Sequence, residues 1–126
     1  MKVVWILDEY DDNRLWLSEA LCCMGCAPIA FKSCEHLVAH AAHRETARAS
    51  LTIVDAKTAR GHERQVCAAA SSRLVILTTW PMQIVPWTNL GVSRFMMKPI
   101  DSASLLEHLE APPAQARAAY QLGAVS

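Results

Sequence analysis

A chain of 126 residues that is 52% hydrophobic and 19% charged suits one domain with one core and excludes wholesale disorder. Its 12 basic and 12 acidic side chains cancel, so no basic stripe marks a nucleic-acid footprint, and no apolar run reaches the length of a membrane span. Five irregularly spaced cysteines suit a reduced compartment better than a disulfide framework, and the start lacks a signal peptide's cleavage pattern, so a cytoplasmic protein is expected.

Val3 to Leu7 reads as a strand buried on both faces, and it runs into Asp8 and Glu9. Asp11 or Asp12 is placed to cap the following helix, over Asn13 to Met24, whose apolar positions Trp16, Leu17, Ala20, Leu21 and Met24 recur at helical spacing. Gly25 ends it. Ala27 to Phe31 is a weaker strand, because it contains Pro28, which an edge position would tolerate. A helix over Cys34 to Ala42 and a loop over Thr46 to Ser50 lead to Leu51-Thr52-Ile53-Val54-Asp55, an apolar run that ends in a carboxylate. A loop through Gly61 and a helix over His62 to Ser71 follow. Leu74 to Leu77 is a further buried strand, ending at Thr78. Between Thr79 and Leu90, Pro81 and Pro86 forbid a regular helix. Arg94 to Met97 is a last short strand before Lys98-Pro99, and a helix over Ser102 to Leu109 closes the domain. Pro112-Pro113 stops that helix, leaving residues 112–126 as an Ala-rich tail or linker stub beyond a domain of residues 1–111.

Five strands alternating with helices predict one doubly wound α/β domain with right-handed crossovers. In such a sheet, chemistry sits outside the carboxyl ends of the strands. Four strands send Asp8 and Glu9, Asp55, Thr78, and Lys98 to that rim. Converging carboxylates repel one another, and a hard cation such as Mg2+ relieves the repulsion. With a lysine and a threonine hydroxyl added, the set suits acceptance of a phosphoryl group, with Asp55 attacking in line. Strand alternation does not decide between Thr78 and Thr79.

These motifs resemble the receiver domains of two-component response regulators over about residues 2 to 110. The resemblance rests on Val-Trp-Ile-Leu-Asp8-Glu9, Leu-Thr-Ile-Val-Asp55, Val-Ile-Leu-Thr78-Thr79 and Gly91-Val-Ser-Arg-Phe95-Met-Met-Lys98-Pro99, in that order and spacing. It implies a flavodoxin-like fold with strand order 2-1-3-4-5. It also implies a phosphoacceptor at Asp55, supplied by a histidine kinase or a histidine phosphotransfer protein. Glu9, Asp55 and the backbone carbonyl of Lys57 would ligate Mg2+ directly, with Asp8 acting through water. Thr78 and Lys98 would contact the phosphoryl group, Phe95 would be the aromatic switch residue, and the bond before Pro99 would be cis. Such a domain is a conformational switch in a bacterial phosphorelay, not a metabolic enzyme.

The chain departs from the family pattern in three places, the mildest being Glu9, one methylene longer than the family's commoner aspartate, which would seat the metal slightly differently. The loop Ala56-Lys57-Thr58-Ala59-Arg60-Gly61 lacks the family's proline and is about two residues short, and Lys57 puts a cation where it would either hold the phosphoryl group or weaken Mg2+ binding by repulsion, a position the resemblance implies tunes dephosphorylation. The crossover from Thr78 to Gly91 is also about two residues short, implying an atypical, shortened fourth helix. Its apolar cluster, Trp80, Met82, Ile84, Val85 and Trp87, either folds over the core or forms part of a docking surface for a second copy or an output partner within region 80–109. Trp80 lies beside the switch threonine, where it too would tune kinetics. These departures motivate an alternative: a phosphorylation-independent interaction domain. A second alternative is a thiol redox sensor using Cys22 or Cys23, although both fall off the helix's apolar stripe and Cys26 completes no metal set. His36, His40 and His43 share one helix face, read as solvated. No glycine-rich phosphate loop and no nucleophile elbow occur.

Overall fold

A computed structural model describes residues 2–43, 45, 48–70 and 73–110. The expected tail over 112–126, the Pro112-Pro113 stop and the boundary at 111 lie outside the described residues, as does Ser71. The elements are β1 (Val3–Leu7), α1 (Asp11–Cys23), β2 (Ala27–Phe31), α2 (Cys34–Ala42), β3 (Leu51–Asp55), α3 (Glu63–Ala70), β4 (Arg73–Thr78), a 3-10 turn (Pro81–Ile84), α4 (Val85–Thr88), β5 (Phe95–Met97) and α5 (Ser102–Glu110). All strand pairs are parallel and their order is β2-β1-β3-β4-β5, the doubly wound arrangement the sequence predicts, with β2 at an edge. No helix among the described residues is long and apolar enough to cross a membrane.

Two-residue periodicity explains both faces of the sheet. Val4, Ile6, Leu51, Ile53, Val75 and Leu77 point to one side, where Leu17 and Leu21 of α1 and Leu105 and Leu109 of α5 cover them. Trp5, Leu7, Val54 and Ile76 point to the other, against Leu37 of α2, Val66 of α3 and Trp87 of α4. Every residue of β3 is buried, because helices cover it on both sides.

The helix ends follow local chemistry. At the end of α1, Cys26 N–H reaches Leu21 O and Gly25 N–H reaches Cys22 O, a Schellman closure with Gly25 at φ +81°. Neither Asp11 nor Asp12 caps the start. Tyr10 holds the cap position without a side-chain bond, and Asp11 lies inside the first turn, paired with Arg14. Within the α1 stripe, Leu17 and Leu21 are fully buried, whereas Trp16 lies at its border and is exposed. Ser33 caps α2 by accepting the His36 N–H at 3.3 Å. Ser33→Ala is expected to cost about 1 kcal/mol. Urea unfolding should show it as a lower midpoint at unchanged slope, and an unmoved midpoint would show that water satisfies the helix end equally well.

His40 corrects the expectation of a solvated histidine face. Its ring packs against Trp5 at 5.4 Å and Phe31 at 5.1 Å between centroids. It lies three residues beyond Leu37 and one before Ala41, so the helix carries it onto the border of the buried stripe.

The segment between β4 and β5 forms no full helix. Pro81 opens the 3-10 turn and Pro86 sits in the first turn of the four-residue α4, both places where a missing N–H costs little. Gln83 Oε1 accepts the N–H groups of Thr79 and Trp80, and Gly91 closes α4 at φ +87° with Val92 N–H on Trp87 O. The two readings of the apolar cluster divide by residue: Trp87 is 1% exposed and enters the core, while Trp80, Met82 and Val85 face solvent.

Candidate functional site

Parallel strands bring their carboxyl ends to one rim. Asp8 follows β1 and Asp55 ends β3, and both are at most 2% exposed. Lys98, just past β5, places its Nζ 2.8 Å from Asp55 Oδ1 and 3.2 Å from Asp8 Oδ2. One ammonium thus serves two buried carboxylates. Burial pushes the Asp8 carboxyl above its ordinary range. The Tyr10 N–H on Asp8 Oδ1 opposes that, the charge of Asp55 reinforces it, and Lys98 opposes it. Burial alone would lower the Lys98 ammonium, but the hydrogen bond and charge of Asp55, then Asp8, hold it above its ordinary range.

The second oxygen of Asp55 is also occupied. Oδ2 accepts the Thr58 hydroxyl at 2.7 Å and the Thr58 N–H at 3.0 Å. The same hydroxyl oxygen accepts the Glu9 N–H at 3.0 Å, which stitches the end of β1 to the loop after β3. Tyr10 forms the outer wall. Its ring centroid lies 5.1 Å from Lys98 Nζ and 5.6 Å from Lys57 Nζ, cation–π distances in both cases. Lys57 is exposed. Its ammonium is held above the ordinary range first by a hydrogen bond with Tyr10, with Glu9 and Asp55 adding to it.

Of the residues expected at the site, the structure brings together Asp8, Asp55 and Lys98, with Lys57 at the mouth. The Glu9 side chain is exposed, and no three His, Cys, Asp or Glu side chains among the described residues are gathered for a metal ion. The Lys57 carbonyl accepts the Arg60 N–H at 3.3 Å inside the loop. Thr78 is 2% exposed, and its hydroxyl donates to Met96 O at 3.5 Å, while Thr79 is exposed beside Lys98 in a cavity of about 480 Å³ that also touches Asn13 and Trp16. Phe95 is half-buried and packs on the core cluster that contains Trp87. The Lys98–Pro99 bond is cis. A cleft of about 560 Å³ opens between Lys57 and Arg60 of the loop after β3 on one side and Trp80, Met82 and Trp87 of the segment between β4 and β5 on the other. Cys22 and Cys23 are exposed on α1, away from its buried stripe.

Two contributors, Thr58 and Tyr10, were not singled out in the sequence. Thr58 had a signal: an N–H three residues after a strand-end aspartate is at capping distance. Nothing local marks Tyr10, whose partners come from other strands.

No protein-family model and no curated protein matches the chain in sequence. Solved structures do match in fold. The chemotaxis protein CheY4 of Vibrio cholerae superposes at TM-score 0.74 and 21% identity, over 87% of this chain and 97% of that one. A response regulator receiver protein from Pseudomonas putida gives 0.70 at 24% identity, over 86% and 94%. A Burkholderia pseudomallei response regulator with a phosphorylated aspartic acid, a calcium ion and citrate gives 0.72 at 18% identity, over 98% and 75%. The architecture is that of the CheY-like receiver fold.

Proposed function

We propose that this chain is a response regulator receiver domain that accepts a phosphoryl group on Asp55 from a sensor histidine kinase or a histidine phosphotransfer protein. The observation that carries the reading is the Lys98 ammonium bridging Asp55 and Asp8 at the carboxyl ends of a parallel sheet. An Asp55 oxygen would attack phosphorus as the bond to the donor imidazole nitrogen breaks, the electron pair leaving with the imidazole. Lys98 would exchange part of its contact with Asp55 for the arriving phosphoryl oxygens. Asp8 and Asp55, with Glu9 and the Lys57 carbonyl, would hold Mg2+. The donor chemistry fits, since burial first and the charge of Asp55 after it raise Asp8's proton affinity, and a hard cation would offset both. When bound, Mg2+ would offset the negative charge of the carboxylates and the phosphoryl group. The phosphorylated aspartic acid of the similar Burkholderia protein supports the reading.

The output would be a shift in population, not turnover. Thr78 would leave Met96 O for the phosphoryl group and Phe95 would repack. Trp80, Met82, Val85, Met97 and Leu106 are exposed apolar side chains that a second copy or an output partner would cover.

Incubation with radiolabelled acetyl phosphate and Mg2+ tests this. The wild type should take up label and Asp55→Asn none. Label persisting in Asp55→Asn would place the acceptor elsewhere. Folded wild type that takes up none would favour the phosphorylation-independent interaction domain.

A further inference from the structure

We propose that Thr58 is a positioning residue that acts as a latch on Asp55, favouring the free carboxylate over the phosphorylated form. This rests on the reading of Asp55 as the acceptor. A threonine hydroxyl has one hydrogen to give. The Glu9 N–H, 3.0 Å from Thr58 Oγ1, uses an oxygen lone pair, so that hydrogen points to Asp55 Oδ2 at 2.7 Å. Thr58's own N–H adds a second donor to the same oxygen, and Lys98 holds Oδ1. Both oxygens of the acceptor are therefore engaged before any donor arrives.

Phosphoryl transfer removes charge from this carboxylate. One oxygen forms the bond to phosphorus while the bond from phosphorus to the donor oxygen of acetyl phosphate breaks, and acetate leaves with the electron pair. The other Asp55 oxygen becomes the neutral carbonyl oxygen of an acyl phosphate. A hydrogen bond to a carboxylate is about twice as strong as one to a neutral acceptor. Whichever oxygen attacks, the Thr58 hydroxyl binds the ground state better than the transition state, which slows the reaction. In the reverse sense, during loss of the phosphoryl group to water, the carboxylate is the leaving group. Thr58 then stabilises the charge that returns to it. One side chain therefore acts in opposite directions on gain and loss, and both lower the steady level of phosphorylation. The Lys98 contact weakens on the carboxylate too, but its ammonium transfers to the phosphoryl oxygens. Thr58 is already bound on its other side by Glu9.

Labelling by acetyl phosphate with Mg2+, followed by decay after donor removal, tests the latch in wild type, Thr58→Val and Thr58→Ser. Valine keeps the shape and the backbone N–H bond but removes the hydroxyl. Its labelling should be about threefold faster, since at most about half of a charge-assisted hydrogen bond is forfeited as the carboxylate charge leaves, and its decay slower. Serine should restore wild-type values for both rates. A purely structural role would move the unfolding midpoint and not split the rates in opposite senses. Labelled wild type with a valine variant that labels no faster, or decays no slower, overturns the latch and leaves Asp55 as acceptor. Wild type that takes up no label overturns both. If valine prevents folding, Thr58→Ala replaces it under the same criteria.

Discussion

Lys98→Met is expected to lower stability by about 3 kcal/mol at pH 7 in the presence of chelator, because it strands two buried carboxylates without a counter-charge. Methionine keeps the length of the stem, so packing is conserved and the loss is electrostatic. Asp8 is 0% and Asp55 3% exposed at the side chain, and Lys98 only 15%, so solvent screens little of this interaction. The sign follows from Lys98's raised pKa. A cation held above its unfolded value contributes stability that is fully present below about pH 10.5 and is lost only as pH rises through the higher folded value. The contribution is therefore whole at neutral pH. Urea unfolding measures it. Adding Asp8→Asn to Lys98→Met should recover part of the loss, since one stranded charge is gone. A loss below about 1 kcal/mol would mean that the rim is wetter than its burial implies.

Trp87→Ala is expected to cost about 4 kcal/mol, whereas Trp80→Ala should stay within about 0.5 kcal/mol. The two tryptophans lie seven positions apart in one proline-interrupted segment, and their exposures are 1% and 67%. Trp87, inside α4, is packed in the buried cluster with Val54, Val66 and Ile76. Equal losses for the two variants would contradict that division. Intrinsic fluorescence gives an independent check: removing Trp80 should take away the emission most sensitive to a soluble quencher, and removing Trp87 only emission that, like that of Trp5, the quencher does not reach.

Most of the sheet was legible along the chain because β-rich apolar runs declare themselves locally. Val3–Leu7, Leu51–Asp55 and the strand ending at Thr78 need no long-range information to be recognised, and β2, with Pro28, lies at an edge, where that proline is tolerated. The prolines at 81 and 86 likewise announced that the fourth crossover would not be a regular helix. Helix faces were less legible at their borders. Trp16 and His40 sit at the margins of apolar stripes, where a rotation of part of a turn decides between solvent and core. Sequence spacing reversed both, placing Trp16 on a buried stripe and His40 on a solvated histidine face.

The sequence by itself determined the doubly wound fold and the convergence of Asp8, Asp55 and Lys98. The strands are parallel, and each of these residues lies at or just beyond a strand's carboxyl end, so topology alone brings them to one rim. The tertiary structure decided what each group touches once it is there. The Thr58 hydroxyl meets the N–H of Glu9, 49 positions earlier, and one Tyr10 ring lies within cation–π distance of both Lys57 and Lys98. Thr78 faces β5 while Thr79 faces the cavity beside Lys98. Such contacts depend on loop paths and rotamers across several strands, and neither local propensity nor two-residue periodicity carries that information.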